Sequence, residues 1–446
     1  MSQPIVDTFG VGKLFDLYKT NQVEEYIQQN LSVREFEKNK YGEVFTSYSY
    51  ISDLLDRLPL NVWSNPGLRW LEPASGIGNF CLVIYVRLMS GLIHVFPDDA
   101  ARHEHILKNM IFMVEINEDN VSRTRDLFGP SLVNIQCADF LDTASSRCIT
   151  KADIIIGNPP FQMPRDGARS SSKGGQILWD KFILKSLEIL SRDGDGASNE
   201  RFLCFITPPL WRKPNSPHGL WEKMTRKPCS LQYLHMIDKK TAIRDLQVQQ
   251  RMDLYVIQVG GDGDGDRREC QIVTSLADGG ALYSVSPRDW PFLPNSEFSF
   301  IKSIIEAKPD PRRVIYDRSA YGSDLPHMSP EYRAGEFIYP VVHTMTRKGL
   351  GLWYSNTNTR GHFGVAKVIL NFNEKLYPYL DLSGDYGMGQ FSFGLPVTSA
   401  EEGTAIVRAL ESPQFRAVVK ATKWGAYQTD RRMFDYFKPG WWSCNV

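Results

Sequence analysis

Asp153-Ile-Ile-Ile-Gly-Asn158-Pro159-Pro160-Phe161 is a short apolar run that stops at an asparagine, two prolines and an aromatic ring. Ile154, Ile155 and Ile156 are consecutive β-branched residues, the pattern of a strand buried on both faces of a parallel sheet. Gly157 lets the backbone turn where that strand ends. Pro159 and Pro160 fix φ and remove two N–H donors, so the carbonyl beside them is left free to accept a hydrogen bond. Asn158 adds a side-chain carbonyl oxygen. Two acceptors converging at a strand's carboxyl end, with a phenyl ring alongside, make a receptor for a planar group that bears an NH₂. A β-turn after a core strand is the plainer reading of Pro-Pro alone, and the upstream sequence weighs against it.

Trp70-Leu-Glu72-Pro73-Ala74-Ser-Gly76-Ile-Gly78-Asn-Phe80 runs as a strand into a glycine turn and then a helix, expected from about Asn79 to Val95. The two glycines permit close backbone approach to a ligand, and the helix presents its first N–H groups there. The dinucleotide fingerprint is not met, because its third glycine is missing and Glu72 would repel a pyrophosphate. Glu72 suits a cation instead, such as a sulfonium carrying an α-ammonium group. A second strand, Ile111 to Val114, ends in Glu115, at the place where a carboxylate commonly bonds both ribose hydroxyls. Beyond a helix from Asp119 to Phe128, a strand beginning at Val133 leads to Asp139-Phe140. Asp139 can accept from an adenine amino group, and Phe140 can cover the ring. Each acid taken singly reads as a helix cap or a loop residue. Three in this order, ahead of Asn-Pro-Pro-Phe, are hard to obtain by chance.

Together these stretches resemble the S-adenosylmethionine-dependent adenine-N6 DNA methyltransferases. The resemblance is to the gamma-type motif order of type II restriction–modification methylases, with cofactor motifs first and target recognition last. It is strong from about Tyr41 to Pro209 and loose to the C-terminus. It implies that Asn158, Pro159, Pro160 and Phe161 are catalytic. It also implies a cofactor site of Glu72, Pro73, Ala74, Gly76, Gly78, Glu115, Ile116, Asp139, Phe140 and Asn158, with Thr46 of Tyr41-Gly-Glu-Val-Phe-Thr46 near the methionine end. Asn158 and the Pro159 carbonyl would then orient the target nitrogen for direct in-line displacement, with positioning and electrostatics supplying the rate. Phe161 would stack on an adenine flipped out of its duplex. Two departures stand out: Ser47 replaces the usual proline, and Thr241 to Tyr255 offers no clear aromatic for the second wall of the base pocket.

At 446 residues the chain is long for one core, and two domains are expected. Apolar residues make up 42% and charged residues 23%, ordinary for a folded protein. Net charge is zero, so a DNA contact has to use a local basic patch. The seven cysteines show neither CxxC nor metal-ligand spacing, which fits a reduced, cytoplasmic protein without a metal. Met1 to Asp7 has no apolar signal core, and the lipid-like run Phe80 to Phe96 is interrupted by Arg87 and His94, so no membrane partner is expected.

The expected layout is a helical N-terminal extension over residues 1–40, then a catalytic domain over 41–284. The latter alternates strands and helices and reads as α/β, a Rossmann-like, mostly parallel sheet with helices on both faces. Residues 285–446, rich in aromatics, Gly and Pro, read as a β-rich target-recognition domain with C-terminal helices. The basic stretch Met163 to Gln176 could close over DNA, with Arg165, Arg169 and Lys173 on phosphates. Gly260 to Asp266 alternates Asp and Gly but lacks the closing Glu of a calcium loop, so a hairpin tip or linker is expected. In the last domain Arg347-Lys348 and Arg360-Gly-His362, around an Asn/Thr-rich turn, form the first candidate DNA patch. Asn356 and Asn358 can read base edges, and Lys420, Lys423, Arg431 and Arg432 are further cations.

The expected function is site-specific methyl transfer from S-adenosylmethionine to adenine N6 in double-stranded DNA, by a monomer. A cognate restriction endonuclease acting on the same site is a candidate partner. Methyl transfer to an RNA base or a protein glutamine uses the same two acceptors and stays open, as does a catalytically weak DNA-binding subunit.

Overall fold

The computed structural model describes residues 13–30, 46–129, 131–142, 151–163, 176–192, 201–214, 218–260, 269–275, 279–425 and 429–444. They form two compact units, Met1–Trp211 with Glu222–Arg288, and Arg212–Trp221 with Asp289–Val446.

The first unit is built on a nine-stranded sheet ordered β3-β2-β1-β4-β5-β7-β6-β8-β9. Its strands are β1 (Trp70–Glu72), β2 (Ile111–Glu115), β3 (Ile135–Cys137), β4 (Ile154–Gly157), β5 (Arg201–Thr207), β6 (Cys229–Ile237), β7 (Met252–Val259), β8 (Cys270–Thr274) and β9 (Leu282–Val285). β3, β2, β1, β4 and β5 are parallel throughout, so their carboxyl ends share one edge. β7 enters antiparallel between β5 and β6, which sends β6 back toward that same edge.

Strand alternation assigns the faces. Ile154, Ile156, Phe202, Cys204 and Ile206 join a core with α4 (Asn79–Gly91), while Ile155, Leu203 and Phe205 alternate away from it. α6 (Trp179–Ser191) packs against β4, β5 and β7. α4 is apolar on nearly every side because it is enclosed, which explains its lipid-like composition. It stops at Gly91, short of the expected Val95. The N-terminal segment is an integral layer rather than an appendage. α1 (Lys13–Thr20), α2 (Val23–Asn30) and α3 (Tyr48–Leu55) place Leu14, Leu17, Val23, Ile27, Ile51 and Leu54 in the same core as α4. These short helices become stable through that burial, since isolated helices of this length are marginal. α5 (Glu118–Phe128) and α7 (Lys239–Leu246) complete the unit's helices used below. No helix among the described residues is long and apolar enough to cross a membrane.

The second unit carries two small sheets, ordered β10-β12-β11-β15 and β14-β13-β16. β10 is Met328–Ser329, β11 Tyr339–Thr346, β12 Gly349–Ser355, β13 Lys367–Asn371, β14 Tyr379–Asp381, β15 Gly387–Met388 and β16 Ser392–Pro396. β11 and β12 form a hairpin whose register pairs Thr346 with Gly349 across the turn Arg347-Lys348. Helices α8 (Ala400–Glu411) and α9 (Pro413–Ala421) follow, then a short 3-10 turn, Arg431–Tyr436. Asp430 caps that turn through the Arg432 N–H. Phe415, Phe434, Phe437 and Trp441 cluster with ring centroids 4.9–6.4 Å apart, which explains the aromatic richness of this region.

β13 and β14 are joined by an ion pair with no access to water. Lys367 Nζ lies 2.7 Å from Asp381 Oδ2, directly across the ladder, and also donates to the Val365 carbonyl. Asp381 further accepts the Asp385 and Tyr386 N–H groups. Burial lowers the Lys367 pKa, and Asp381 opposes that shift. Replacing Asp381 with Ala strands a buried ammonium, so the second unit should lose about 3–5 kcal/mol in urea unfolding. Wild-type stability in Asp381→Ala would show the pair to be dispensable.

Candidate active site

The turns after β1 and β4 meet at the shared carboxyl edge. A Cβ built on Gly157, whose φ is 156°, would lie 3.6 Å from Glu72 Cγ and 3.7 Å from Pro73 Cδ. The catalytic-type motif and the glycine turn therefore line one cleft. Gly78 holds φ at 83° with its α-carbon pressed toward the Phe128 ring, a conformation and a space that suit only glycine.

Asn158 is half-buried and its two amide ends are in different circumstances. Nδ2 donates to Thr46 Oγ1 at 3.1 Å, whereas Oδ1 is buried and has no hydrogen-bond partner among the described residues. Ser75 Oγ and Asn79 Oδ1, flanking the glycine turn, are likewise buried and unpartnered among the described residues. Each such atom costs about 1–3 kcal/mol when left unmet. A polar ligand seated on the turn would meet them, so the pattern fits a nucleoside-like group. Pro159 is buried and Pro160 half-buried. Phe161, partly buried, leans on the main core.

Two carboxylates sit behind these acceptors. Glu115 accepts the Gly76 N–H at 2.7 Å and the Asn117 N–H at 2.8 Å, so the acid at the end of β2 ties down the glycine turn itself. Glu72, 2% exposed, accepts the Cys81 N–H at the start of α4 at 3.3 Å. Burial pushes its pKa up to about 8, with a smaller push from Glu115, against the lowering effect of the Cys81 hydrogen bonds. An enclosed acid held toward its neutral form suits a positively charged ligand, whose arrival would favour its ionised form.

Asp139 is exposed after β3, and its Oδ1 accepts the Leu141 N–H at 2.8 Å. Phe140 departs from expectation. Its ring is 2% exposed, stacked on Phe182 at 5.3 Å with the Lys185 ammonium above it at 5.0 Å. Hydrophobic packing has claimed it, and no open face is left to cover a ligand. Ile116, next to Glu115, is 56% exposed and does offer an apolar surface. In the glycine turn Ala74 is half-buried and Pro73 is buried.

Between Thr241 and Tyr255 the ring expected for the second wall is still missing. Tyr255 is enclosed, its hydroxyl near Thr207 Oγ1 and its ring 4.9 Å from Trp211. The stretch Met163 to Gln176 springs from the site: Leu178 donates to the Phe161 carbonyl, and Met163 to that of Gln176. Arg165, Arg169 and Lys173 lie outside the described residues, as do Tyr41 to Phe45 and most of Gly260 to Asp266. Ser75 and Asn79 were passed over in the sequence. Their polar side chains inside an otherwise apolar strand–turn–helix were the available signal.

In the second unit the expected basic patch divides. Arg347 and Lys348 form the turn at one end of the β11–β12 hairpin, while Arg360 follows β12 at the other. At about 3.3 Å per residue, the seven residues of β12 span about 20 Å between the two ends. His362 is buried, and its Nδ1 accepts the Met388 N–H at 3.2 Å. Burial, helped by the nearby Lys367 charge, lowers its pKa to about 4 and keeps it neutral. It belongs to the core of this unit and not to a DNA surface. Arg432 is tied to Asp430 and Lys423 to Glu374. Arg347 instead opens onto a groove of about 680 Å³ shared with Met345, Lys375, Tyr377, Tyr379 and Arg416.

No family model matches the chain. An uncharacterized adenine-specific methylase of Mycoplasma pneumoniae is 25% identical over 38% of this chain and 55% of its own length. The chain thus spans about half of the curated relative it matches. Among solved structures, the Type IIL restriction-modification enzyme MmeI in complex with DNA is similar with a TM-score of 0.47 at 12% identity, over 92% of this chain and 68% of that one. The type I restriction-modification methyltransferase subunit of Streptococcus thermophilus gives 0.40 at 14% identity, over 60% of this chain and 53% of that one.

Proposed function

We propose that the chain transfers a methyl group from S-adenosylmethionine to the N6 amino group of an adenine in double-stranded DNA. The observation that carries this reading is Asn158 Oδ1, a buried acceptor with no partner among the described residues, at the carboxyl edge of the sheet beside two enclosed carboxylates. The likeness to an adenine-specific methylase supports it.

The cofactor, when bound, supplies an electrophilic methyl on a sulfonium. Glu115 accepts from its ribose hydroxyls while holding the glycine turn, and Ile116 covers its adenine. Asp139 accepts from the adenine amino group. Glu72 supplies negative charge beside the cationic end, and Pro73, Ala74, Gly76 and Gly78 let the backbone approach. Asn158 Oδ1 and the Pro159 carbonyl accept the two N–H bonds of the target amine, which leaves its lone pair directed at the methyl carbon. Pro160 holds that carbonyl in place, and Phe161 stacks on the flipped base. Substitution would be direct: the sulfur–methyl bond breaks as the nitrogen–methyl bond forms, the thioether leaves with the electron pair, and the acidic proton of the methylated amine passes to solvent, so no residue has to act as a strong base. The work of these groups is orientation and charge stabilisation.

The β-rich unit is the proposed DNA reader. Its groove presents Arg347, Lys375 and Arg416 against Glu374 and Glu411, with Glu374 already engaged by Lys423. The cations suit phosphates, and Tyr377 and Tyr379 suit sugar and base edges. This arrangement favours nucleic acid over a protein glutamine as the substrate.

Asn158→Ala should lower methyl transfer by about 10²–10³-fold with cofactor affinity retained, and transfer at the wild-type rate would remove Asn158 from the chemistry. Modification-sensitive sequencing of DNA from expressing cells should find N6-methyladenine in one sequence context; methyl groups found on RNA or protein instead would redirect the substrate. Glu72 has its pKa raised in the folded protein, so its protonated form predominates near neutrality and its charge appears only as pH rises through about 8. A cationic cofactor should therefore release a proton on binding at pH 7 and bind more tightly as pH climbs toward 9. Calorimetry in buffers of different ionisation enthalpy checks this, and Glu72→Gln should abolish the proton release. Arg347→Ala with Arg416→Ala should reduce the slope of log affinity against log salt by about 0.9 for every phosphate that is no longer neutralised. An unchanged slope excludes the groove.

A further inference from the structure

A primary amide has two ends of nearly equal shape and opposite hydrogen-bonding sense. A half-turn about its last torsion swaps an acceptor for a donor at almost no steric cost. For Asn158 the difference is decisive, because a target amine aiming its lone pair at a methyl carbon offers only N–H bonds to the protein. Facing it with Nδ2 would set donor against donor.

We infer that Thr46 is a positioning residue for Asn158, fixing which end of the amide faces the target. This rests on the proposed reading of Asn158. The Thr46 hydroxyl accepts from Nδ2 at 3.1 Å, and Oδ1 is thereby the end left buried and unpartnered among the described residues. Both sides of this contact are anchored. Thr46 is itself buried and lies just ahead of α3, whose Ile51, Leu54 and Leu55 are fully buried. Asn158 follows β4, whose three isoleucines are also fully buried. The resemblance implies a cofactor contact for Thr46; the geometry gives its hydroxyl a different partner. Contacts to a cofactor act on affinity, whereas fixing the amide acts on the rate once both substrates are bound.

The test measures the single-turnover transfer rate at saturation, cofactor affinity by calorimetry and the KM for DNA. Thr46→Val keeps the shape and removes the acceptor. It should slow transfer by about 10–100-fold while leaving cofactor affinity and KM for DNA within about twofold, and Thr46→Ser should restore most of the rate. Weakened cofactor binding with an unchanged saturated rate overturns the inference in favour of a cofactor contact. Thr46→Ser as slow as Thr46→Val overturns it in favour of simple packing. Asn158→Asp gives an independent reading, since a carboxylate accepts at both ends and needs no orienting. Adding Thr46→Val to Asn158→Asp should then cost less than about twofold, and a full penalty there also overturns the inference. Thr46→Ala replaces Thr46→Val if the latter melts early. Asn158→Ala separates the two levels: wild-type transfer in that variant defeats the reading of the site itself, whereas its loss alongside a normal Thr46→Val defeats the positioning role alone.

Discussion

A carbonyl oxygen enclosed by protein with no donor to meet it is expensive, and Asn158 Oδ1 is one among the described residues. The structure around it is arranged to keep it that way. β4 delivers the residue to the sheet edge, Gly157 allows the turn against Glu72 and Pro73, and two prolines withhold the N–H groups that would otherwise compete. Thr46 occupies the other end of the amide. Among the described residues no donor reaches that acceptor.

The same logic extends to charge. Glu72 and Glu115 lie close enough for each to be felt by the other, and burial has already driven Glu72 toward its protonated form. Glu115 instead accepts the backbone N–H groups of Gly76 and Asn117. The two acids consequently differ in kind. Glu115 is held by two backbone donors that shape the turn, whereas Glu72 is enclosed and pushed toward its neutral form.

The second unit shows the opposite treatment of buried polarity. Lys367 and Asp381 satisfy one another, and the Val365 carbonyl and the Asp385 and Tyr386 N–H groups add further bonds to the pair. His362 is likewise engaged and neutral. These groups serve the architecture of the β-rich unit. Arg347, Lys375 and Arg416 line one groove together with Glu374 and Glu411.

The order of strands and acids along the first unit was determined by the sequence alone, because buried strands, glycine turns and strand-end carboxylates are local patterns with local causes. Ile154 to Ile156, Trp70 to Gly78 and Glu115 fall in the structure where periodicity and turn chemistry place them. Tertiary structure decided what depends on distance through space. It reversed β7 within the sheet, drew α1 and α2 into the main core, and enclosed Phe140 against Phe182. It also carried Arg360 to the far end of a hairpin from Arg347, although the two are near neighbours along the chain, because an antiparallel pair converts nearness in sequence into strand length. Thr46 and Asn158 are 112 positions apart. No local pattern couples a threonine before a helix to an asparagine after a strand, and only packing of that helix onto the sheet brings the two together.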